Sequence, residues 1–211
     1  MRQKFIFLLI FSFIINHAQN LKTSDVIKAS DSILSKNINS ELFHFFTVSD
    51  GSYYKYSIDN STKIGKFKYD KKLKKQIDEI WIHYHFKYPK IDGIKGGTWV
   101  KLDSKLNLIE TISLEFIPNF LWKNQESNFI SKELALKIAV ENFKKDGIKI
   151  ENPELFFDIK LKLYVYIITN KLNEYKNSAG KPSGNTEVIK INAENGNIAE
   201  TFDGYYGLII R

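Results

Sequence analysis

The chain of 211 residues contains no cysteine. Structural disulfides are thereby excluded, as are a lipid-modified cysteine and a thiolate nucleophile. The core must hold the fold together unaided. A serine in a Gly-x-Ser-x-Gly elbow is also missing, and the glycines at Gly93, Gly96 and Gly97 do not open a helix, so neither nucleophile chemistry of that type nor a phosphate cradle is implied. Histidine is scarce: of His17, His44, His83 and His85, the first falls in the amino-terminal apolar segment, leaving three as candidate bases. No nucleic-acid-binding motif is recognisable. Beyond that segment no long apolar run appears, so the rest of the chain is expected to be soluble or peripheral.

What the chain does have begins at its amino terminus. In MRQKFIFLLIFSFIINHAQN, Arg2 and Lys4 precede an apolar run from Phe5 that ends at Ile15. A spanning helix needs roughly 20 apolar residues, and this run stops short of that at Asn16 and His17. The layout is that of a secretory signal peptide, residues 1–19, cleaved near Ala18 to Asn20. The mature chain is expected to be exported, either periplasmic or secreted. With 43% hydrophobic and 14% aromatic residues it has material for a sizeable core.

The formal charge is +7, and Arg2 and Lys4 account for two of the seven. A dense basic stretch, KIGKFKYDKKLKKQ, runs from Lys63 to Gln76. Lys66 and Lys68 alternate with Phe67 and Tyr69 as the wet and dry faces of a strand, so a solvated hairpin is the preferred reading. Peripheral contact with anionic membrane through Lys63–Lys75 is the lesser one.

Along the mature chain the hydrophobic period changes twice. SDVIKASDSILSK, with Ser24 as cap and Val26, Ile27, Ile33 and Leu34 at helical spacing, predicts a helix over Asp25–Lys36. Strand-like runs follow at ELFHFFTV, SYYKYSI, GKFKY, EIWIHYHFKY, GTWVKLD and LNLIETISLEF, with Asp50-Gly51 as a hairpin turn between the first two, so that the strands form an antiparallel meander. Pro118 and the polar WKNQESN then mark a boundary, giving units 20–121 and 122–211. In the second, Ser131 caps KELALKIAVENFKK, whose stripe is Leu134, Ala135, Ile138, Ala139 and Phe143, and Gly147 stops it. Strands are predicted in ELFFDIKLKLYVYIIT, TEVIKIN and NIAETFD, with a mobile loop over Asn173–Asn185. The helix stripe is expected to cover Leu163, Val165 and Ile167, leaving Tyr164, Tyr166 and Ile168 on the other face.

The two halves also share their closing words. VKLDSKLNLIET, Val100 to Thr111, and VIKINAENGNIAET, Val188 to Thr201, align from Val100 and Ile189 onward with a single-residue gap inside the turn. Lysine separates apolar residues before Asp103 or Asn192, and the return begins Asn107-Leu108 or Asn197-Ile198. Helix, strands, polar loop and hairpin recur in the same order, which predicts a duplication.

SKELALKIAVENFKK, KLYVYIIT and VIKINAENGNIAE together resemble the PepSY domain, a family named for peptidase propeptides. Leu134-Ala135 and Tyr164 match its pattern, whereas Asn192 replaces the usual aspartate and Asn195 a threonine. The resemblance covers residues 131–203, and the first half echoes it more weakly. It implies an α+β fold of two cystatin-like units in tandem, each a helix across an antiparallel sheet, and a non-catalytic inhibitory, chaperoning or accessory role in the cell envelope.

Candidate chemistry is sparse. His83 and His85 project from one face of a strand at a spacing that can present two imidazoles to zinc, but no third ligand is evident, so no metal, cofactor or catalytic residue is assigned. Asp78, Glu79, Asp103, Glu110, Glu115, Glu187 and Glu200 are read as outward polar positions of strands. Trp81, His83 and His85 share a parity opposite Ile82, Tyr84 and Phe86, and Trp99 can join them from the neighbouring strand. These four are the candidate contact surface for a protein or peptide partner. The alternatives are a carrier of an apolar ligand and a small metal-dependent hydrolase using His83 and His85.

Overall fold

The structure is a computed structural model that describes residues 21–68, 71–74 and 76–207. The expected signal peptide lies outside the described residues. Helix α1 spans Thr23–Asn37 and buries Thr23, Val26, Ser30 and Leu34. It starts before Ser24 because other groups satisfy its first donors. Lys22 N bonds Asp25 Oδ2 at 3.2 Å, and Thr23 donates from its amide to Lys71 O at 3.1 Å and from its hydroxyl to Lys68 O at 3.0 Å. A cap from Ser24 is not needed.

The run ELFHFFTV is not one strand. Asn39 Oδ1 accepts from Leu42 N at 2.8 Å and opens a single helical turn, α2 (Ser40–Phe43). Only Phe46–Val48 remains extended as β1. Strands β2 (Tyr53–Ile58), β3 (Ser61–Lys66), β4 (Ile77–Lys87) and β5 (Lys95–Asp103) complete an antiparallel sheet ordered β1-β4-β2-β3, with β5 also paired to β4. It is therefore not a simple meander. Asp50-Gly51 forms a turn, with Ser52 N donating to Ser49 O at 3.1 Å, but β1 and β2 pair with β4 rather than with each other. The true hairpin joins β2 to β3 through Asp59 and Asn60, both at positive φ (49° and 62°), as a two-residue primed turn requires.

LNLIETISLEF also departs from expectation. Its pairing ends after the Leu102–Leu108 bridge and the bond from Ile109 N to Lys101 O. Beyond it the buried positions are Ile112, Phe116, Ile117, Phe120 and Leu121, an irregular rather than alternating spacing. Pro118 then caps a short helix, α3 (Asn119–Trp122).

The second sheet follows helix α4 (Lys132–Asn142), which Ser131 caps through Leu134 N at 3.1 Å. Its strands are β6 (Lys149–Ile150), β7 (Glu154–Asp158), β8 (Leu163–Lys171), β9 (Tyr175–Lys176), β10 (Pro182–Asn192) and β11 (Ile198–Tyr206). Their order is β11-β10-β8-β6, with β7 on β8 and β9 on β10. The chain is thus α+β, with helices and two antiparallel sheets. Residues 173–185, expected as a loop, include β9 and the first residues of β10, which pair with each other, and Tyr175 Oη bonds Tyr205 Oη at 2.7 Å.

Helix α4 lies over the face of β8 opposite to the one expected. Tyr166 Oη donates to Ile130 O at 2.9 Å just before the helix, and Asn170 Nδ2 to Lys145 O at 2.9 Å just after it. Glu187, buried beside Asn170 in the ladder, accepts from the amides of Lys144 and Lys145. It is not an outward polar residue but a clamp on the helix exit. Of the apolar stripe, Ala135 and Ala139 are buried, whereas Leu134 is 45% exposed. Small side chains let the helix approach while the tyrosine rings fill the space at its ends.

By compactness the chain divides into two units interleaved in sequence. One takes the chain to Lys36, Val48–His83 and Trp99–Thr111; the other takes Asn37–Thr47, Tyr84–Thr98 and the chain from Ile112. In the second, Phe46, Phe86 and Phe116 form a ring cluster with centroids 4.9 to 6.3 Å apart. Gly96 is obligatory there, since a Cβ would lie 2.5 Å from the Phe116 ring.

On the face of the second sheet away from α4, Lys190 Nζ contacts Asp158 at 2.8 Å and Glu200 at 2.7 Å. Asp158 is buried, and the Lys190 ammonium holds its carboxyl below the usual range, against the opposing effect of burial and with help from the amides of Leu161 and Lys160. Replacing Lys190 by Met removes one charge and leaves the other desolvated. Urea unfolding at pH 7 should show a loss of about 3 kcal/mol. A depressed carboxylate contributes stability above its unfolded pKa of about 3.9 and loses it as pH falls through the folded value. The difference between wild type and Lys190→Met should therefore shrink in acid; a difference that is flat or widens there contradicts the assignment.

Candidate functional site

Strict alternation along β4 and β5 decides what the first sheet presents. Ile80, Ile82, Tyr84 and Phe86 in β4, and Thr98, Val100 and Leu102 in β5, are all buried. The pleat then sends Glu79, Trp81, His83 and His85, and Trp99 and Lys101, to the opposite face. Strand β2 adds Tyr53 and Lys55, because its register sets Tyr53 beside Trp81 and Lys55 beside Glu79.

Three of the four predicted contact residues form one cluster. Trp81 and Trp99 meet edge to face at 5.8 Å, and the His83 imidazole stacks on Trp99 at 4.5 Å. Tyr53, which sequence reasoning did not include, stacks on Trp81 at 5.4 Å and meets Trp99 at 5.8 Å. All four rings are half-buried. His85 has the same parity and is exposed, two positions further along β4. The backbone of His83 is fixed, its amide donating to Ser52 Oγ at 3.0 Å and its carbonyl accepting from Ser49 N at 2.8 Å.

Charge surrounds the rings in an ordered way. Lys101 Nζ lies 4.0 Å and Lys55 Nζ 4.6 Å from the Trp81 ring centroid, within cation–π range. Glu79 Oε2 accepts from Lys55 Nζ and from the Trp81 indole, each at 2.7 Å. Lys55 foremost, then the Trp81 N–H, holds the Glu79 carboxyl below the usual range, while Glu79 raises the Lys55 ammonium above its own. Lys101 is paired in turn with Glu110. The arrangement makes a flat platform with aromatic area, two cations and two carboxylates.

Among the described residues no group of three or more His, Asp or Glu side chains is placed to hold a metal ion. His44 is distant in role, standing exposed at the C-terminal end of α2. The other carboxylates singled out in the sequence each have a structural partner. Asp78 accepts from Ser57 Oγ, Asp103 from the amides of its own turn, and Glu115 from Lys162.

The same unit holds a groove of about 760 Å³ between α1 and the β1–β2 connection. Ile27, Val48, Phe67 and Ile82 supply its apolar lining, with Lys28 and Asp50 among its polar groups. The groove was not legible in the sequence, since it depends on how the turn at Ser49–Ser52 stands against the helix.

Comparison with known proteins gives little to set beside this geometry. No family model matches the chain, and no curated protein matches it. Among solved structures, a "putative lipoprotein" from Clostridium difficile 630 aligns over 90% of this chain and 99% of its own, at 12% identity and a TM-score of 0.29. A likeness that low carries no weight for fold or function.

The platform's electrostatics are testable directly. Because the Glu79 carboxyl is depressed, its bonds to Lys55 and Trp81 should persist as pH falls to about 4.3, the ordinary glutamate value, and break only below it. Tryptophan emission followed from pH 7 downward should show a transition below that value that is missing in Glu79→Gln. A transition unchanged by the substitution would mean that Glu79 does not govern the Trp81 environment.

Proposed function

We propose that this chain is an exported, non-catalytic binding module that recognises a protein or peptide of the cell envelope or extracellular space, with Tyr53, Trp81, His83 and Trp99 at the centre of its contact surface. The observation that carries the reading is the aromatic platform on the first sheet. Large rings left partly exposed on a sheet face, bracketed by charged groups, have the composition of recognition surfaces, in which tryptophan, tyrosine and arginine are enriched at the residues that dominate binding. His85 extends the same strand face.

The finer architecture belongs to the same reading. The halves descend from one PepSY-like, cystatin-like unit, helix before antiparallel sheet, and their closing turns support this. Asp103 N donates to Asn107 O at 2.9 Å, and Asn192 N to Asn197 O at 2.8 Å. In each turn the first residue's Oδ1 accepts an amide two residues on, and the residue before the closing asparagine has positive φ, Leu106 at 68° and Gly196 at 76°. One turn is a residue longer than the other, matching the single gap between the two sequence stretches.

The groove beside α1 favours a second reading, carriage of an apolar ligand, since its volume falls within the roughly 300–1,000 Å³ of small-ligand sites. Its lining mixes aspartates and lysines with the apolar groups and it is open to solvent, which fits such a ligand less well than the platform fits a partner.

Export predicts that the protein recovered outside the cytoplasm begins near Asn20 by mass spectrometry; an intact Met1 form in the membrane fraction would point to an anchor instead. For the contact surface, the double variant Trp81→Ala, Trp99→Ala should keep its circular dichroism and lose about 1–3 kcal/mol of stability from ring contacts, while capture of partners from an envelope extract falls to background. Lys190→Met, destabilised to a comparable degree through the second sheet, should capture normally. Equal loss of capture in both variants, or turnover of a substrate that His83→Ala abolishes, would overturn the proposal.

A further inference from the structure

Between Lys63 and Lys75 the sequence has seven lysines and one acid, Asp70. Strand β3 ends at Lys66, so Phe67 and Lys68 do not continue the expected strand, and Tyr69 lies outside the described residues. Lys66, Lys68, Lys71, Lys72 and Lys74 instead line one concave pocket of about 380 Å³. The segment of residues 71–74 is fastened to the start of α1. Leu73 N donates to Leu21 O at 2.8 Å, Thr23 N donates to Lys71 O at 3.1 Å, and Lys22 forms a bridge with Lys72.

The pocket also includes the rings of Tyr54 and Tyr56 from β2. Tyr54 is buried and lies directly opposite Gly65 in the β2–β3 ladder. A Cβ at residue 65 would fall 2.2 Å from the Tyr54 ring, so only glycine lets that ring cross β3. The result is a fixed aromatic base under a rim of ammonium groups.

Among the described residues that rim is electrostatically unbalanced. Among the described residues, Lys55, Lys101, Lys137, Lys145, Lys162, Lys171 and Lys190 each pair with a carboxylate, and none of the pocket lysines does. All five are exposed. Like charges gathered around a concavity repel one another and focus positive potential into it, so the arrangement disfavours the empty fold and favours a bound anion.

We propose that this pocket binds a compact ligand carrying two or more phosphoryl groups. Lysine is a compact, mobile point charge that serves phosphate oxygens, and an anion with charged oxygens on several sides engages more of the five ammonium groups than one planar carboxylate can. The volume lies at the small end of ligand pockets, which fits a diphosphate or a phosphorylated headgroup and not a nucleic-acid strand. Several ammonium groups exceed what one phosphate can neutralise. The site is separate from the aromatic platform.

Titration calorimetry of the mature protein with inorganic pyrophosphate tests this, with inorganic phosphate as the weaker comparison. Pyrophosphate should bind, more tightly than phosphate, and less tightly as salt rises. Lys68→Gln, Lys71→Gln, Lys72→Gln together should weaken it at least about tenfold and raise the melting temperature of the ligand-free protein at low salt, because repulsion is relieved. A control with Lys87, Lys90 and Lys105 changed to Gln should bind as wild type. Single Lys71→Gln carries the same comparison if the triple variant does not fold.

Vesicles of phosphatidylcholine with and without cardiolipin, whose headgroup carries two phosphates, distinguish the source. A lipid headgroup predicts co-sedimentation with the anionic vesicles that pyrophosphate displaces, and a soluble ligand predicts pyrophosphate binding without co-sedimentation. No heat with pyrophosphate, equal weakening in the control variant, or vesicle binding that pyrophosphate cannot displace would each overturn the proposal.

Discussion

The first sheet depends on the unbroken alternation of β4. From Ile80 to Phe86 every second side chain is almost fully buried, and each such apolar group removed from water contributes about 1.5–3 kcal/mol. A shift of one residue would turn all of them to solvent, so the register has no tolerance. Because the period of a strand is two, fixing Ile80, Ile82, Tyr84 and Phe86 inward also fixes Trp81, His83 and His85 outward. The platform is thus a consequence of the core, and no separate device is needed to expose it. What makes it more than a strand's wet face is the identity of the residues there, since two indoles, a phenol and an imidazole are poor choices for simple solvation.

Legibility in the sequence followed the same physics. Strands β4 and β5 were readable because alternation over nine or more residues has few competing explanations. Helix α4 was readable from Ser131 and its apolar spacing. The strand reading of ELFHFFTV failed because Asn39, outside the apolar run, captured the amide of Leu42 and nucleated a turn. The reading of LNLIETISLEF failed because Leu108 and Ile109, taken as strand residues, are exposed, and the burial resumes at Ile112 without the period of two. The face of β8 covered by α4 could not be read from the strand itself, since Tyr164, Tyr166 and Ile168 are as apolar as the residues opposite. It was decided by Glu187 and Asn170, whose bonds to the helix exit become visible only when β8 and β10 are paired.

At the candidate site the residues could be read one strand at a time. Trp81, His83 and His85 followed from parity, and Trp99 from the neighbouring run. Tyr53 and Lys55 required the β2–β4 register, and that register depends on the β1–β4–β2 order, which the Asp50-Gly51 turn wrongly suggested to be a hairpin. Charge shows the same division between local and long-range information. A lysine-rich segment is obvious in the sequence, but only the structure separates lysines that have carboxylate partners, such as Lys55 and Lys101, from those around the Tyr54 ring that among the described residues do not.

The central claim is that the platform stands open to a partner and is not closed into a core. It is tested most directly by fluorine NMR of protein labelled with 5-fluorotryptophan, with the resonances of Trp81 and Trp99 assigned by substituting each in turn. Half-exposed rings predict that both signals shift between H2O and D2O and broaden when a soluble paramagnetic agent is added. Signals from Trp81 and Trp99 that respond to neither solvent isotope nor paramagnetic agent would show both indoles sealed from water and contradict the account.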